Sequence, residues 1–550
     1  MQIIVVSVIL LLIFFGAGYK KELNDKRAYK EKLLKEYGKE NKRRFSAEEL
    51  KSIRGYFEYH PKDDCIDDIT WNDLDMNIIY TAMDYCQSSA GDEYLYYMLR
   101  NPKTHMYDWS GFEEKVKGLT DDPVLRSDIG ACLHEMGRSG NYNLYSYLNR
   151  LDETKSMPLI KTAAGALCYI PAIGICLYNL AIGLSLIFLL AVYNIASYFK
   201  LKRTIEPYIV CFEYVFRVIK NCEMIMSVIK DKELLFEEKT DLVNIIKNFK
   251  SFKRFSSFVI GELGSGPLGV FLDYIKMLTH LDLIKFGSML EQIKQNKDGI
   301  DQILTIIGKI DCYISVGEYR AFLEFFSIPD LDDSYEGISF TDGYHPLLEN
   351  AIPNSLNTQK CVLLTGSNAS GKSTFLKTVA VNALLAQSVH TSCSKKYKAP
   401  YFYIYSSLGL KDSIISGESY YMAEIKALKR ITDASAVKKN VLCFVDEVLR
   451  GTNTTERIAA SSAILRNLSG KGVFVFAATH DLELTSVLND IYENYHFDEE
   501  MFDNDIRFPY RLSQGRATSR NAIKLLDIFG YDRDIIDKAN EMVREMESRL

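Results

Sequence analysis

The chain has 550 residues, of which 47% are hydrophobic and 25% charged. That length predicts about three or four domains of roughly 100–200 residues each, and the composition excludes a disordered or collagen-like chain. A net charge of -6 excludes a uniformly basic nucleic-acid coat protein while leaving room for a local nucleic-acid site. The 11 cysteines are scattered without any C-x-x-C pair, which fits reduced thiols rather than disulfides or structural zinc.

Residues 3–18 are uncharged and end just before Lys20 and Lys21. At about 1.5 Å per residue this is barely enough to span a bilayer. The basic residues follow the run and none precede it. That placement predicts an uncleaved anchor over 1–19, with the rest of the chain in the cytoplasm, rather than a cleaved signal peptide. Residues 20–59 open with KKELNDKRAYKEKLLKEYGKENKRR, a charged helical pattern that reads as a solvated stalk. Its end, Lys39–Arg44, suits anionic lipid. Over 60–334 apolar residues recur at helical spacing, as in LLFEEKTDLVNIIKNF, which predicts an all-α domain. Within it, 162–199 is 38 residues long and carries no formal charge. Lys155 and Lys161 precede it; Lys200, Lys202 and Arg203 follow it. One span does not need so many residues. The pattern predicts an inserted transmembrane hairpin with both ends in the cytoplasm, kinked at Pro171 and turning near Tyr178 and Asn179. The competing reading is a hairpin buried in a soluble core. With the anchor, about three spans result, and the chain reads as a multi-pass membrane protein.

From 335 to 550 the texture changes. Short apolar runs (CVLLTG, VLCFVDE, VFVFAATH) alternate with helical stretches, the pattern of an α/β domain with a mostly parallel sheet. CVLLTGSNASGKSTFLKTVA fits G-x-x-x-x-G-K-[ST] in a strand–loop–helix context, the signature of a P-loop NTPase. Gly366 and Gly371 let the backbone curl so that amides face phosphate, and the helix that follows offers its positive end. Gly366, Ser367, Asn368, Ala369, Ser370, Gly371, Lys372, Ser373 and Thr374 form the expected ATP-binding set. Lys372 would neutralise β/γ charge and Ser373 would ligate Mg²⁺. VLCFVDE delivers Asp446 and Glu447 at the C-terminal edge of a strand, where α/β ligand sites lie. Asp446 would hold the metal with Ser373, and Glu447 would orient or deprotonate water. His480 ends a further strand and would sense the γ-phosphate.

These segments resemble the MutS family of DNA mismatch-repair ATPases. GYHPLLENAIPNSL is similar to the family's entry segment. GSNASGKSTFLKTVAVNALLAQ is similar to its P-loop and helix, with Asn368 helping to cradle phosphate. SSLGLKDSIISGESYYMAEIKALKRI resembles its signature loop. VDEVLRGTNTTE resembles its acidic strand and dimer-facing loop, and ATHDLELT its histidine switch. SRNAIKLLDIFGYDRDIIDKANEM resembles its closing helices, and ITWNDLDMNIIYTAMDYCQSSAGDEYLYYMLRNP the start of its helical lever domain. The resemblance implies a homodimer with two composite sites, each receiving the partner's signature loop at Ser416, Gly417 and Ser419. It also implies DNA binding, ATP and Mg²⁺.

Departures from the family pattern bear on function. An anchor and stalk stand where the family's DNA-reading domain would be. Phe236 and Glu238 have the spacing of its Phe-x-Glu wedge but read as ordinary amphipathic surface. Ala351 stands where the family places an adenine-stacking aromatic, which leaves base identity open, and Leu449 replaces a glycine. Three functions compete: a membrane-anchored MutS-like ATPase that clamps or monitors DNA, an ATP-driven switch acting on protein partners without DNA, and an ABC-type transporter ATPase. About three spans are few for a transport pathway.

Overall fold

A computed structural model describes residues 20–21, 23–140, 143–151, 165–249, 274–275, 277–367, 369–409, 420–449, 453–470, 472–502, 505–517, 523, 526 and 530–549. The expected anchor over 1–19 lies outside these residues, as do Asn368, Ser416, Gly417 and Ser419. The chain divides into two compact units.

The first unit gathers Met1–Pro61, Met83–Tyr97 and Ser110–Phe322. All its described secondary structure is helical. The helix Lys297–Phe322 buries Ile303, Ile307, Ile310 and Ile314, one face at helical spacing, and so forms the centre of the core. Residues 23–36 are helical as expected, but they are not a free stalk. Tyr29 stacks on His134 at 3.7 Å. Lys26 pairs with Glu135 at 2.8 Å, and Arg126 lies 3.6 Å above the Tyr37 ring. Tyr29, Leu33 and Tyr37 recur every four residues, a stripe masked in the sequence by the charges around it. Arg43, expected to face lipid, instead bonds Asp84 at 3.0 Å and Asp92 at 2.7 Å. Glu238 is likewise not surface: it is buried and paired with Lys115 at 2.7 Å, while Phe236 is exposed.

The apolar insertion forms the helices Tyr169–Tyr178 and Leu180–Val228. Asn179 ends the first, and its side chain caps the second by accepting from the Ile182 amide at 3.2 Å. Pro171 follows a turn at Cys168 that interrupts the helical residues 165–178, the break that a proline inside a helix causes. The second helix runs unbroken for 49 residues, roughly 70 Å. Over Leu180–Arg203 only 11% of its most apolar stretch is buried, and Leu184, Phe188, Leu189, Val192 and Tyr193 are exposed. Among the described residues this is the one helix long and apolar enough to cross a membrane; Gly165–Tyr178 is shorter.

The second unit gathers Lys62–Ala82, Met98–Trp109 and Leu323–Leu550. The sequence boundary at 335 therefore misses two early segments. Ion pairs and hydrogen bonds place them here. Asp73 accepts from the Ser406 hydroxyl at 2.7 Å and the Leu408 amide at 2.9 Å. Lys438 reaches Asp64 at 2.8 Å, and Gln387 donates to the Lys103 carbonyl at 2.7 Å. The main sheet has six strands: β1 (Cys361–Thr365), β2 (Tyr403–Ser407), β3 (Val441–Asp446), β4 (Val473–Ala478), β5 (Tyr492–Phe497) and β6 (Leu512–Gln514). Their order is β6-β5-β1-β4-β3-β2, all parallel except the antiparallel edge β6. β1 and β3 are buried along their whole length, which explains their unalternating apolar runs. A second, four-stranded sheet contains Ile338–Gly343 and Asn354–Thr358.

In the first unit, burial raises the Glu318 carboxyl to about 7 and the Asp311 carboxyl to about 6. The folded state therefore holds protons that the unfolded chain has lost. The stabilisation is complete below about pH 4 and disappears as pH rises through about 7. Glutamine mimics the protonated form. Glu318→Gln should gain stability relative to the parent chain between about pH 5 and about pH 8 by up to a few kcal/mol, read from denaturant unfolding at each pH.

Candidate functional site

Three loops leave neighbouring strands at one edge of the main sheet. The first follows β1. Gly366 has φ +145°, and a Cβ there would meet the Phe497 carbonyl and the Ser370 hydroxyl, both at 2.9 Å. Ala369 and Gly371 also take positive φ, so the chain folds tightly before the helix Lys372–Val389 begins. Lys372 is buried, and its ammonium donates to the Gly366 carbonyl at 2.9 Å and the Ser367 carbonyl at 2.7 Å. Thr374 faces the same cavity as the loop.

The second loop follows β3. Asp446, at the end of this strand, accepts a short hydrogen bond from the Ser373 hydroxyl. Glu447 has φ +54°, and its amide donates to the Ala478 carbonyl at 2.9 Å. Leu449 also has positive φ; its amide donates to Glu424 at 2.5 Å and its side chain is buried. The third loop follows β4. The Thr479 amide donates to the Leu364 carbonyl at 2.9 Å, and His480 Nε2 lies 2.9 Å from Glu447 Oε1. Lys372, Ser373, Asp446, Glu447 and His480 are thus brought together. The histidine–glutamate pair is a contact that the sequence did not announce.

A cavity of about 580 Å³ opens beside these groups. Its wall includes Ser370, Lys372, Ser373, Glu447 and His480, and on the other side Tyr344, His345, Ala351 and Tyr510. Burial, then the charge of Lys377, pushes the His345 imidazole down to about 4, so it is neutral near pH 7. Ala351 does line the cavity and adds no ring. Tyr510 adds one from a loop beyond β5. Asn354 holds that loop, donating to the Tyr510 carbonyl at 3.0 Å and accepting from the Leu512 amide at 2.7 Å. Sequence reading missed Tyr510; an aromatic after a proline gives no sign of what it faces.

The donor set fits a hydrated divalent cation and a polyphosphate. A hydroxyl and a carboxylate are hard oxygen ligands. The helix N-terminus and the lysine offer positive charge beside them. The buried Ser370 hydroxyl has no protein hydrogen-bond partner and lines the cavity.

Comparison with known proteins agrees with this geometry. Residues 362–547 match the family described as MutS domain V. The chain is 30% identical over 281 residues to the DNA mismatch repair protein MutS of Aquifex pyrophilus, covering 49% of this chain and 32% of that protein. It is 28% identical over 292 residues to the DNA mismatch repair protein MutS of Bacillus licheniformis, with 49% and 32% covered. The match thus spans about a third of the length of these relatives.

Proposed function

The chain belongs to the MutS family through its domain V, and we propose that it binds and hydrolyses ATP at this cavity, as one half of a composite site completed by a second copy. The observation that carries the reading is that Lys372, Ser373 and the Glu447–His480 pair line one cavity, with Asp446 bonded to the Ser373 hydroxyl. The loop Gly366–Thr374 would receive the phosphates. Lys372, now bonded to two carbonyls of its own loop, would turn to the β/γ oxygens. Ser373 and Asp446 would hold Mg²⁺, which supplies charge neutralisation on the phosphates. Glu447 would orient the attacking water and take its proton, with His480 fixing the carboxylate until the γ-phosphate arrives. The partner's Ser416–Ser419 loop would close over the γ-phosphate, so dimer closure would follow ATP and release would follow hydrolysis.

Lys372→Ala should weaken ATP binding. Glu447→Gln should retain binding and lose turnover by about 100-fold or more. Fluorescent-nucleotide titration and phosphate release separate the two. Unchanged hydrolysis in Glu447→Gln would remove it as the base.

Tyr510 would stack on the base in place of an aromatic at 351. Its removal as Tyr510→Ala should weaken ATP binding by about fivefold or more, the worth of one aromatic contact, while inorganic triphosphate binding stays constant. Equal losses for both ligands would exclude stacking.

The exposed apolar face of 165–199 supports insertion in a bilayer, with Lys200, Lys202 and Arg203 at the headgroups and both ends in the cytoplasm. DNA binding is proposed by likeness to the mismatch-repair relatives. The alternative, an ATP-driven switch on protein partners, is favoured by the same apolar face, since tethering restricts access to DNA. The full chain should float with liposomes, and deletion of 165–199 should reduce flotation. DNA, tested as homoduplex, mismatched and branched forms over several salt concentrations, should raise or lower the ATPase rate. A flat response to every form selects the switch reading.

A further inference from the structure

Glu447 and His480 lie on two separate loops, which follow β3 and β4. Their 2.9 Å contact needs something that ties those loops together. The sheet does part of this: Asp446 and Ala478 are register partners, and the Glu447 amide bonds the Ala478 carbonyl. Beyond these, each loop runs into a helix, Thr454–Ser469 after Glu447 and Leu482–Val487 after His480.

Arg457 and Asp481 join those two helix starts. Arg457 Nε donates to Asp481 Oδ2 at 2.9 Å and Nη2 donates to Oδ1 at 2.6 Å, a two-pronged guanidinium–carboxylate pair. Asp481 directly follows His480 and occupies the N-cap position of its helix, yet its carboxylate makes no cap bond; it faces Arg457 instead. Its amide donates to the Thr479 hydroxyl at 3.0 Å, so the backbone on either side of His480 is held. Asp481, through its direct bond, and then its charge and those of Glu447 and Glu483 raise the Arg457 pKa, which places the cation within the field of the Glu447 carboxylate.

We propose that the Arg457–Asp481 pair is a positioning clamp that keeps His480 in register with Glu447, and so sets the turnover rate without touching nucleotide. The inference rests on the ATPase reading of the site. The side chains are partly exposed, 24% and 15%, so the pair adds little to global stability. A shift of about 1 Å in a water-orienting group can cost about 100-fold in rate. A clamp and an ordinary surface ion pair therefore predict different results.

The test uses the full chain in detergent or liposomes without DNA. Arg457→Gln and Asp481→Asn should each lower kcat by about tenfold or more, leaving the ATP Kd within about twofold and the unfolding temperature nearly unchanged. The double variant should be no slower than the worse single one, because both remove the same tie. Arg457→Lys keeps the charge but not the fork, and should retain an intermediate rate. If a glutamine variant fails to fold, the lysine variant and Asp481→Asn read the same quantity. Near-parental kcat in Arg457→Gln and Asp481→Asn, with Glu447→Gln still inactive, would overturn the clamp. So would losses that multiply in the double variant, or a fall in kcat matched by an equal loss of ATP affinity. A parental protein that splits no ATP would instead sink the proposed function.

Discussion

The parallel register of β1, β4 and β3 is the constraint on which the site depends. Parallel neighbours send their C-terminal ends to the same edge, so loops remote in sequence emerge side by side. Leu364 faces Ala478, and Ala478 faces Asp446. Two backbone bonds extend this ladder past the strand ends, Thr479 to Leu364 and Glu447 to Ala478. The lysine, the two acids and the histidine then need only short reaches to meet. The apolar runs of β1 and β3 serve the same end, because both strands are buried along their whole length in the middle of the sheet.

Parts of this arrangement were legible because their chemistry is local. The glycine loop, lysine and serine form one contiguous run, and the acids directly end an apolar run; spacing alone placed them. Contacts between distant segments were not legible. Tyr510 reaches the cavity because Asn354, 156 positions earlier, holds its loop by two hydrogen bonds. Arg457 and Asp481 are 24 residues apart on different helices, and each alone reads as solvated surface. Asp64 and Asp73 lie over 300 residues from Lys438 and Ser406, which is why the sequence boundary at 335 misplaced the segments that carry them. The helix 23–36 was misread for another reason: its charges outnumber Tyr29, Leu33 and Tyr37, and composition hid the periodicity.

Leu449 illustrates how a local misfit is tolerated. Left-handed backbone conformation costs a branched residue of order 1 kcal/mol or more. Glycine would relieve that strain. Here the leucine side chain is buried in the same apolar cluster as Val445, Val448 and Val475, and its amide is bonded to Glu424. Burial of a leucine is worth roughly 1.5–3 kcal/mol. The apolar contact can therefore offset the backbone strain and fix the start of the loop that leads from Glu447 towards Arg457.

The 49-residue helix faces two different environments along its length. Its first half exposes Leu184, Phe188 and Val192, while its second half buries Cys211, Phe212, Val215, Phe216, Ile219 and Cys222 in the first unit. Pro207 lies between these two halves; it has no N–H to bond the carbonyl four residues back, so the helix can bend there without losing a further backbone bond.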